Sequence, residues 1–382
     1  KDALGRILAE PLHARLTLPE RDVSAMDGYA VRAADCAALP ARLQRVGESA
    51  AGHPWAGTLA PGQAVRIFTG AVVPDGADTI ILQEDVVASA EEDGASITLT
   101  EATKPGQFIR PAGLDATAGD QVLSAGMVLS ARAMALAFSC GHHAASFYTK
   151  PRIGIISTGD ELVEPGSIPG PGQIIASNAA YLDAFVGACG GEAVNLGIAR
   201  DRPGAMLEAL RSANDLDMVV TTGGASVGVY DHVASDLDSS GGALNFWKIA
   251  MRPGKPLIFG HVDGIPLLGL PGNPVSSAVC SMVFLRPAIM HLLGQQAAAL
   301  QDEVISARTS VPLPVNDQRQ DYVRATIGNV DGDLPRVIPA FKQDSSMIKV
   351  LANASALIIR PPFDPAKQAG DIVQIMKIPP LL

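Results

Sequence analysis

Glycines, hydroxyls and a carboxylate crowd the stretch DMVVTTGGASVGVYD, residues 217–231. Met218, Val219 and Val220 make an apolar run that stops at Thr221-Thr222-Gly223-Gly224, the pattern of a buried strand entering a glycine turn. Such a turn leaves backbone N–H groups unpaired. Gly223, Gly224 and Gly228 obstruct no ligand, and Thr221, Thr222 and Ser226 add hydroxyl donors, so an oxyanion fits at the strand's carboxyl end. Asp231 closes the loop with a carboxylate. Beside a phosphate it requires an intervening cation, which reads as a magnesium ligand; in an ordinary strand-to-helix connection it would cap the next helix instead.

Basic groups stand in FWKIAMRPGKP, residues 246–256, where Lys248, Arg252 and Lys255 concentrate charge suited to a phosphate or another oxyanion. The same charges would also suit a solvated surface. Further acids lie at turn positions: Asp27 in SAMDGYAV, Asp115 in RPAGLD, Glu161 in STGDEL, and Asp201 just before Pro203. Thr69-Gly70-Ala71 offers a hydroxyl beside a strand end, and Pro271, Gly272 and Pro274 form the rigid LPGNP turn. Arg319, Arg324 and Ser345 are further candidate anion ligands, though their spacing alone is that of surface residues.

The elements that must position these groups fall into distinct textures. Residues 1–18 read as a short helix over Leu4–Leu8 followed by a β-like stretch, and residues 119–149 hold one helix with Ser130 as N-cap and Gly141 past its end. That helix is expected to pack back on residues 1–18, bracketing a β-rich insertion with strands near 64–68, 79–83 and 96–100. From Pro151 strands and helices alternate: a strand at 153–157, a helix at 178–189 burying Leu182, Phe185, Val186 and Cys189, and a strand at 194–199. Asp201 is expected to cap the next helix, and Asn273 with Pro274 to start another after a strand at 266–270.

This order predicts a three-layer, doubly wound α/β domain whose ligands sit at the carboxyl ends of its strands. STGDEL, Asp201, TTGGASVG and LPGNP all fall there. After residue 300 short strands return, which predicts a small β-barrel. The expected division is 1–18 with 116–149 as an elongated linker and dimerisation domain, 19–115 as the β-rich domain, 150–297 as the α/β domain and 298–382 as the barrel.

The composition excludes some partners. With 47% hydrophobic and 18% charged residues the 382-residue chain is globular and multidomain, and its net charge of −10 argues against nucleic acid or an anionic membrane as partner. Cys36, Cys140, Cys189 and Cys280 lack metal or redox spacing, which suits a reducing cytoplasm, and the seven histidines contain no HxH or HExxH. No uninterrupted apolar run approaches the roughly 20 residues that span a bilayer.

Taken in order, SAMDGYAV at 24–31, IFTGAVVPDGADTIILQED at 67–85, RPAGLD at 110–115, STGDEL at 157–162, TTGGASVGVYDH at 221–232, FWKIAMRPGKP and LPGNPVS at 270–276 resemble the molybdopterin molybdenumtransferase family, the MoeA type. The related eukaryotic domains are the gephyrin E and plant Cnx E domains. The resemblance implies an α/β domain like that of the MogA-type adenylyltransferase. It also implies the reaction that joins molybdate to adenylylated molybdopterin, releasing AMP with the help of a divalent cation such as Mg2+.

On that resemblance Glu161, Asp201 and Asp231 would hold the cation, and Asp27, Thr69 and Asp115 would join the catalytic set from the other subunit of a homodimer. Lys248, Arg252 and Lys255 would bind phosphate and molybdate, aided by Arg319, Arg324 and Ser345. Gly223, Gly224, Ser226, Pro271, Gly272 and Pro274 would line the substrate. Transient contact with a MogA-type adenylyltransferase and with molybdoenzyme acceptors is implied as well. Three departures stand out: Arg252 occupies a position where lysine is common, Arg202 follows Asp201 where a second acid is common, and Lys349 and Val350 replace small polar residues near Ser345. A MogA-type adenylyltransferase would lack the DGYA block and the final β domain, and a non-catalytic scaffold of the gephyrin kind would need no acidic set.

Overall fold

In the computed structural model residues 3–89, 95–223, 243–295 and 304–382 are described. Contacts divide the chain into two units, Lys1–Leu4 with Leu8–Phe147, and Gly5–Ile7 with Tyr148–Leu382.

The second unit is built around a six-stranded sheet. Its order is Glu192–Ala199, Arg152–Thr158, Met218–Gly223, Ile265–Leu270, Ile258–Val262, Ala243–Trp247. The first four run parallel, while the last two form an antiparallel edge. Side chains alternate between faces, as a strand's period of two demands. Ile153, Ile155, Met218, Val220, Leu268 and Leu270 share one core with Leu182, Phe185 and Val186 of the helix Ser177–Ala188, and with Val275, Ala278 and Val279 of the helix Pro274–Cys280. Ile156, Val219 and Leu267 point the other way, onto Ala205 and Met206 of the helix Ala205–Leu210. Helices therefore cover both faces, and the doubly wound expectation holds.

The sequence reading missed the antiparallel edge. Phe246 and Trp247, read as the head of a basic loop, lie in an exposed edge strand paired with Phe259 and Ile258. The Asp201 cap is also corrected: the helix starts at Ala205, behind Gly204 at φ 78°, because Pro203 and Gly204 turn the chain first. Helical structure after Asn273 continues through a π turn at Ser281–Leu285 into Arg286–Leu292. At 19 residues Pro274–Leu292 is long and apolar enough to cross a membrane, although Arg286 and His291 interrupt its apolar run; here it packs in the core through Val279, Leu285 and Ile289.

Five strands close a barrel in the order Gln320–Asp331, Leu334–Pro339, Val304–Thr309, Ile372–Lys377, Ala356–Arg360, and back to Gln320–Asp331. Ala307, Ala325, Val337, Ile358 and Ile375 fill it. The short strand Met251–Arg252 adds to its rim, parallel to Gln320–Asp321.

In the first unit a six-stranded sheet runs Thr79–Leu82, Gly28–Val31, Gln63–Ile67, Ala41–Ser49, Ser96–Leu99, Val86–Ala88. Leu12–His13 pairs with Gln121–Leu123, and Leu8 and Leu12 pack on Leu129 and on Ala133 and Ala137 of the helix Ala131–Ser139, which Ser130 Oγ caps. The expected helix at Leu4–Leu8 does not form. Gly5 turns at φ 77°, and Leu8 instead bridges Phe147 in extended conformation.

Candidate functional site

Strand order places a crevice where ligands of such sheets bind. The strand Arg152–Thr158 lies between the two strands that follow it in sequence, so its connections leave in opposite directions and a gap opens at the carboxyl edge. Thr158 is there in register with Gly223. Backbones crowd closely: a β-carbon on Gly223, at φ 104°, would stand 2.2 Å from the Thr158 carbonyl oxygen, and one on Gly272 would stand 3.1 Å from the Gly223 Cα. Only glycine permits that approach.

Above these strand ends lies a cleft of about 630 Å³, lined in part by Ser157, Thr158, Glu161, Asn178, Gly223 and Pro274. Ala176, Ser177 and Asn178 bring in the start of the helix Ser177–Ala188, and Gly272, Asn273 and Pro274 the start of the next. Neither helix start carries a side-chain cap. The positive dipole ends of two helices thus meet at one cleft, which suits an anion, although at the second Pro274 has no N–H and the Val275 N–H already donates to the Ser345 carbonyl at 3.1 Å. Its floor is polar as well. Among the described residues Ser157 Oγ and Thr158 Oγ1 are buried without a hydrogen-bond partner, and burying such groups unpaired is costly.

Asn178 holds the cleft together, and sequence reasoning missed it. Its Nδ2 donates to Thr222 Oγ1 at 2.9 Å and to the Gly272 carbonyl at 2.8 Å, tying a helix start to both neighbouring strand ends. Its spacing gave no sign of this, because both partners are over 40 residues away.

Of the acids, Glu161 lies at the cleft with its carboxylate folded back over Gly159: a β-carbon there would be 2.6 Å from Glu161 Oε2. Asp201 follows the neighbouring strand and faces Asp160. The Asp160 N–H donates to Asp201 Oδ2 at 3.4 Å, the Asp201 N–H to Asp160 Oδ1 at 3.3 Å, and Asp201 Oδ1 is buried without a partner. That orphaned oxygen and the Glu161 carboxylate are each hard oxygen donors of the kind a divalent cation takes. Among the described residues no three His, Cys, Asp or Glu side chains form a metal cluster. Asp231, Gly224 and Ser226 lie outside the described residues.

The basic residues separate into two groups. Lys248 and Lys255 are exposed, Lys248 at φ 68° with Nζ 3.7 Å from the Trp247 ring centroid. Arg252 is paired. Its Nη2 donates to Asp321 Oδ2 at 2.5 Å and to Asn316 Oδ1 at 3.2 Å, and its Nη1 to Asp317 Oδ2 at 3.1 Å. The oxyanion contact expected of Arg252 would thus have to compete with carboxylates that the prongs of its fork already face. Arg319 is likewise drawn to Asp317, at 2.6 Å. That pairing holds the Asp317 carboxyl near about 2, below the usual carboxylate range.

Arg324 is 1% exposed rather than a surface residue, with Nε donating to Gln343 Oε1 and Nη1 buried without a partner. Burial lowers its pKa. Ser345 Oγ accepts from Asn273 Nδ2 at 3.0 Å, so it joins the helix start at the cleft rather than standing apart on the barrel.

The first unit gathers three of the motif blocks. Val23–Ser24 pairs with Ile109–Arg110, and the Gly70 N–H donates to the Ser24 carbonyl, so SAMDG, TGA and RPAGLD emerge together. Asp27 Oδ1 accepts from the Thr69 N–H at 2.7 Å and from Thr69 Oγ1 at 2.8 Å, which lowers the Asp27 pKa with a smaller contribution from Arg66. Asp115 is exposed, and its N–H donates to the Leu18 carbonyl.

Residues 1–141 match the MoeA N-terminal region (domain I and II), 154–291 a probable molybdopterin binding domain, and 306–378 the MoeA C-terminal region (domain IV). A molybdopterin molybdenumtransferase of a Nostoc species is 36% identical over 99% of this chain and 87% of its own length. The Bacillus subtilis protein of that name is 33% identical over 99% and 88%. The crystal structure of the molybdopterin biosynthesis MoeA protein from Pyrococcus horikoshii OT3 superposes with a TM-score of 0.83, at 28% identity, over 99% of this chain and 93% of that one.

Proposed function

Because the chain belongs to the molybdopterin molybdenumtransferase family, we propose that it inserts molybdenum into molybdopterin in molybdenum-cofactor synthesis, using adenylylated molybdopterin and molybdate and releasing AMP. One observation carries the reading: two helix starts without side-chain caps and the hydroxyls of Ser157 and Thr158, unpartnered among the described residues, converge on a single cleft. This arrangement suits a phosphorylated ligand with further polar groups.

The chain's own groups divide the work. The helix starts hold phosphate, Asn178 keeps them in register with Thr222 and Gly272, and the Ser157 and Thr158 hydroxyls complete hydrogen bonds on the floor. Lys248 and Lys255 supply positive charge for molybdate, with the unpaired Arg324 Nη1 and Ser345 as further oxyanion contacts. Magnesium, when bound, would neutralise the phosphoanhydride, with Glu161, Asp201 and Asp231 to hold it. The residues then act by positioning and electrostatics. Cytoplasmic location and a homodimer complete the reading.

The test is incubation with adenylylated molybdopterin, molybdate and magnesium, reading AMP. Asp231→Asn and Lys248→Ala are expected to leave the protein folded and to lower molybdate-dependent AMP release by at least about 100-fold, the scale of removing one preorganised electrostatic group. Wild-type turnover by both would reject these roles, and a fully active monomer in solution would reject the dimer.

A further inference from the structure

Arg252 stands in the charged loop yet makes contacts of a different kind from its two lysine neighbours. The strand it ends lies alongside Gln320–Asp321, with Met251 opposite Gln320 and Arg252 opposite Asp321, and the Gln320 N–H donates to the Ala250 carbonyl at 2.9 Å. Its guanidinium then spans two acids on the barrel, Asp321 at 2.5 Å and Asp317 at 3.1 Å. Asp321 is largely enclosed, its side chain 16% exposed.

Asn316, which takes a third contact from Arg252, is itself fixed by donating to the carbonyls of Arg319, Arg360 and Pro361. An oxyanion approaching Arg252 would meet two carboxylates within hydrogen-bond range of the same guanidinium. The repulsion works against binding there.

We infer that Arg252 is a positioning residue: its fork fastens the loop bearing Lys248 and Lys255 to the barrel bearing Arg324, and the free charge for an oxyanion comes from the lysines. The planar, two-pronged group is what this task requires, since an ammonium cannot offer the same fork to Asp317 and Asp321. Backbone links make the loop responsive to the latch. The Lys248 N–H donates to the Leu257 carbonyl and the Ile249 N–H to that of Lys255, both at 3.0 Å, so the hairpin moves as one piece.

This inference rests on the proposed transfer reaction only for the identity of the oxyanion. The experiment compares wild type, Arg252→Lys, Asp317→Asn, Asp321→Asn and the Arg252→Lys/Asp321→Asn double variant. Molybdate binding is measured by calorimetry, and hydrogen exchange at the Lys248, Ile249 and Gln320 amides by mass spectrometry. Faster exchange in every single variant is expected, with molybdate affinity reduced about fivefold, roughly 1 kcal/mol. The double variant should be no worse than Asp321→Asn alone, because both changes open one latch.

The inference is overturned if Asp321→Asn or Asp317→Asn leaves exchange unchanged, or tightens molybdate binding by unmasking Arg252. It is also overturned if Arg252→Lys abolishes binding without altering exchange. Should wild type not bind molybdate at all, the transfer reading is what fails, and exchange still decides the latch.

Discussion

The cleft at the strand ends and the seam between the basic loop and the barrel are both rich in polar groups, and they treat them in opposite ways. At the cleft Ser157 and Thr158 keep buried hydroxyls without partners, and two helix starts have no side-chain cap. At the seam Arg252 and Arg319 converge on Asp317, Arg252 reaches Asp321, and Arg360 is enclosed by Asp364 and the carbonyls of Pro314 and Pro365. Leaving a buried donor unsatisfied costs about 1–3 kcal/mol, so a fold that retains several in one place benefits when a ligand completes them. Charge by itself does not mark a binding site where carboxylates already match it.

Substituting Gly223 should break the contrast most severely. Gly223→Ala forces a β-carbon to within 2.2 Å of the Thr158 carbonyl at φ 104°, pushing apart the strand ends that form the cleft. A loss of about 1–3 kcal/mol in stability is expected from the backbone alone, read by denaturant unfolding, with AMP release lost beyond what that destabilisation explains. An unchanged variant would mean the close approach has no role.

Asn178→Ala comes next. It removes both donors that join the helix start to Thr222 and Gly272, worth about 0.5–1.5 kcal/mol each. The expected signature is an unfolding temperature lowered by a few degrees together with a raised KM for the adenylylated substrate measured well below it, and Asn178→Asp should not restore either because the carboxylate donates nothing. A kcat defect with unchanged KM would place Asn178 outside ligand positioning.

The smaller effects are pH-dependent and sharpen the seam side of the comparison. The folded pKa of Asp317 is lowered from 3.8 to about 2 by Arg319, so its ion pair stabilises above pH 3.8 and this stabilisation disappears as pH falls toward 2. Arg319→Ala should raise that pKa toward 3.8 in a carboxyl NMR titration and flatten the acid limb of the stability profile. Asp27 has the same sign, its pKa held below 3.8 by the Thr69 N–H and hydroxyl. Thr69→Val should raise it only partway, because the backbone donor remains. A pKa at the ordinary value in the unmutated protein would contradict either pairing.

Much of the fold was legible in the residues, and the reason is periodicity. Apolar runs such as Ile153–Ile156 and Met218–Val220 ended at glycine turns, and Ser130 capped its helix as its type suggests. The α/β order, the barrel and the convergence of STGDEL, TTG and LPGNP on one edge followed from those local patterns. Asn178 stayed invisible because an asparagine near a helix start is common, and only its partners 44 and 94 residues away give it meaning. The pairing of Arg252 was hidden for the complementary reason: its loop advertises charge, while its neutralising carboxylates lie 65 and 69 residues further on.

By itself, then, the chain determined most of the segments that are strands or helices, since those depend on neighbours within a few residues, whereas the bareness of Gly223 and Gly272 is required by Thr158 and Gly223, far away in sequence. Tertiary structure alone decided which cations are already matched by carboxylates and which hydroxyls are left without partners. The physical reason is that hydrogen-bond satisfaction is a property of groups brought together from distant positions, and spacing along the chain does not encode it.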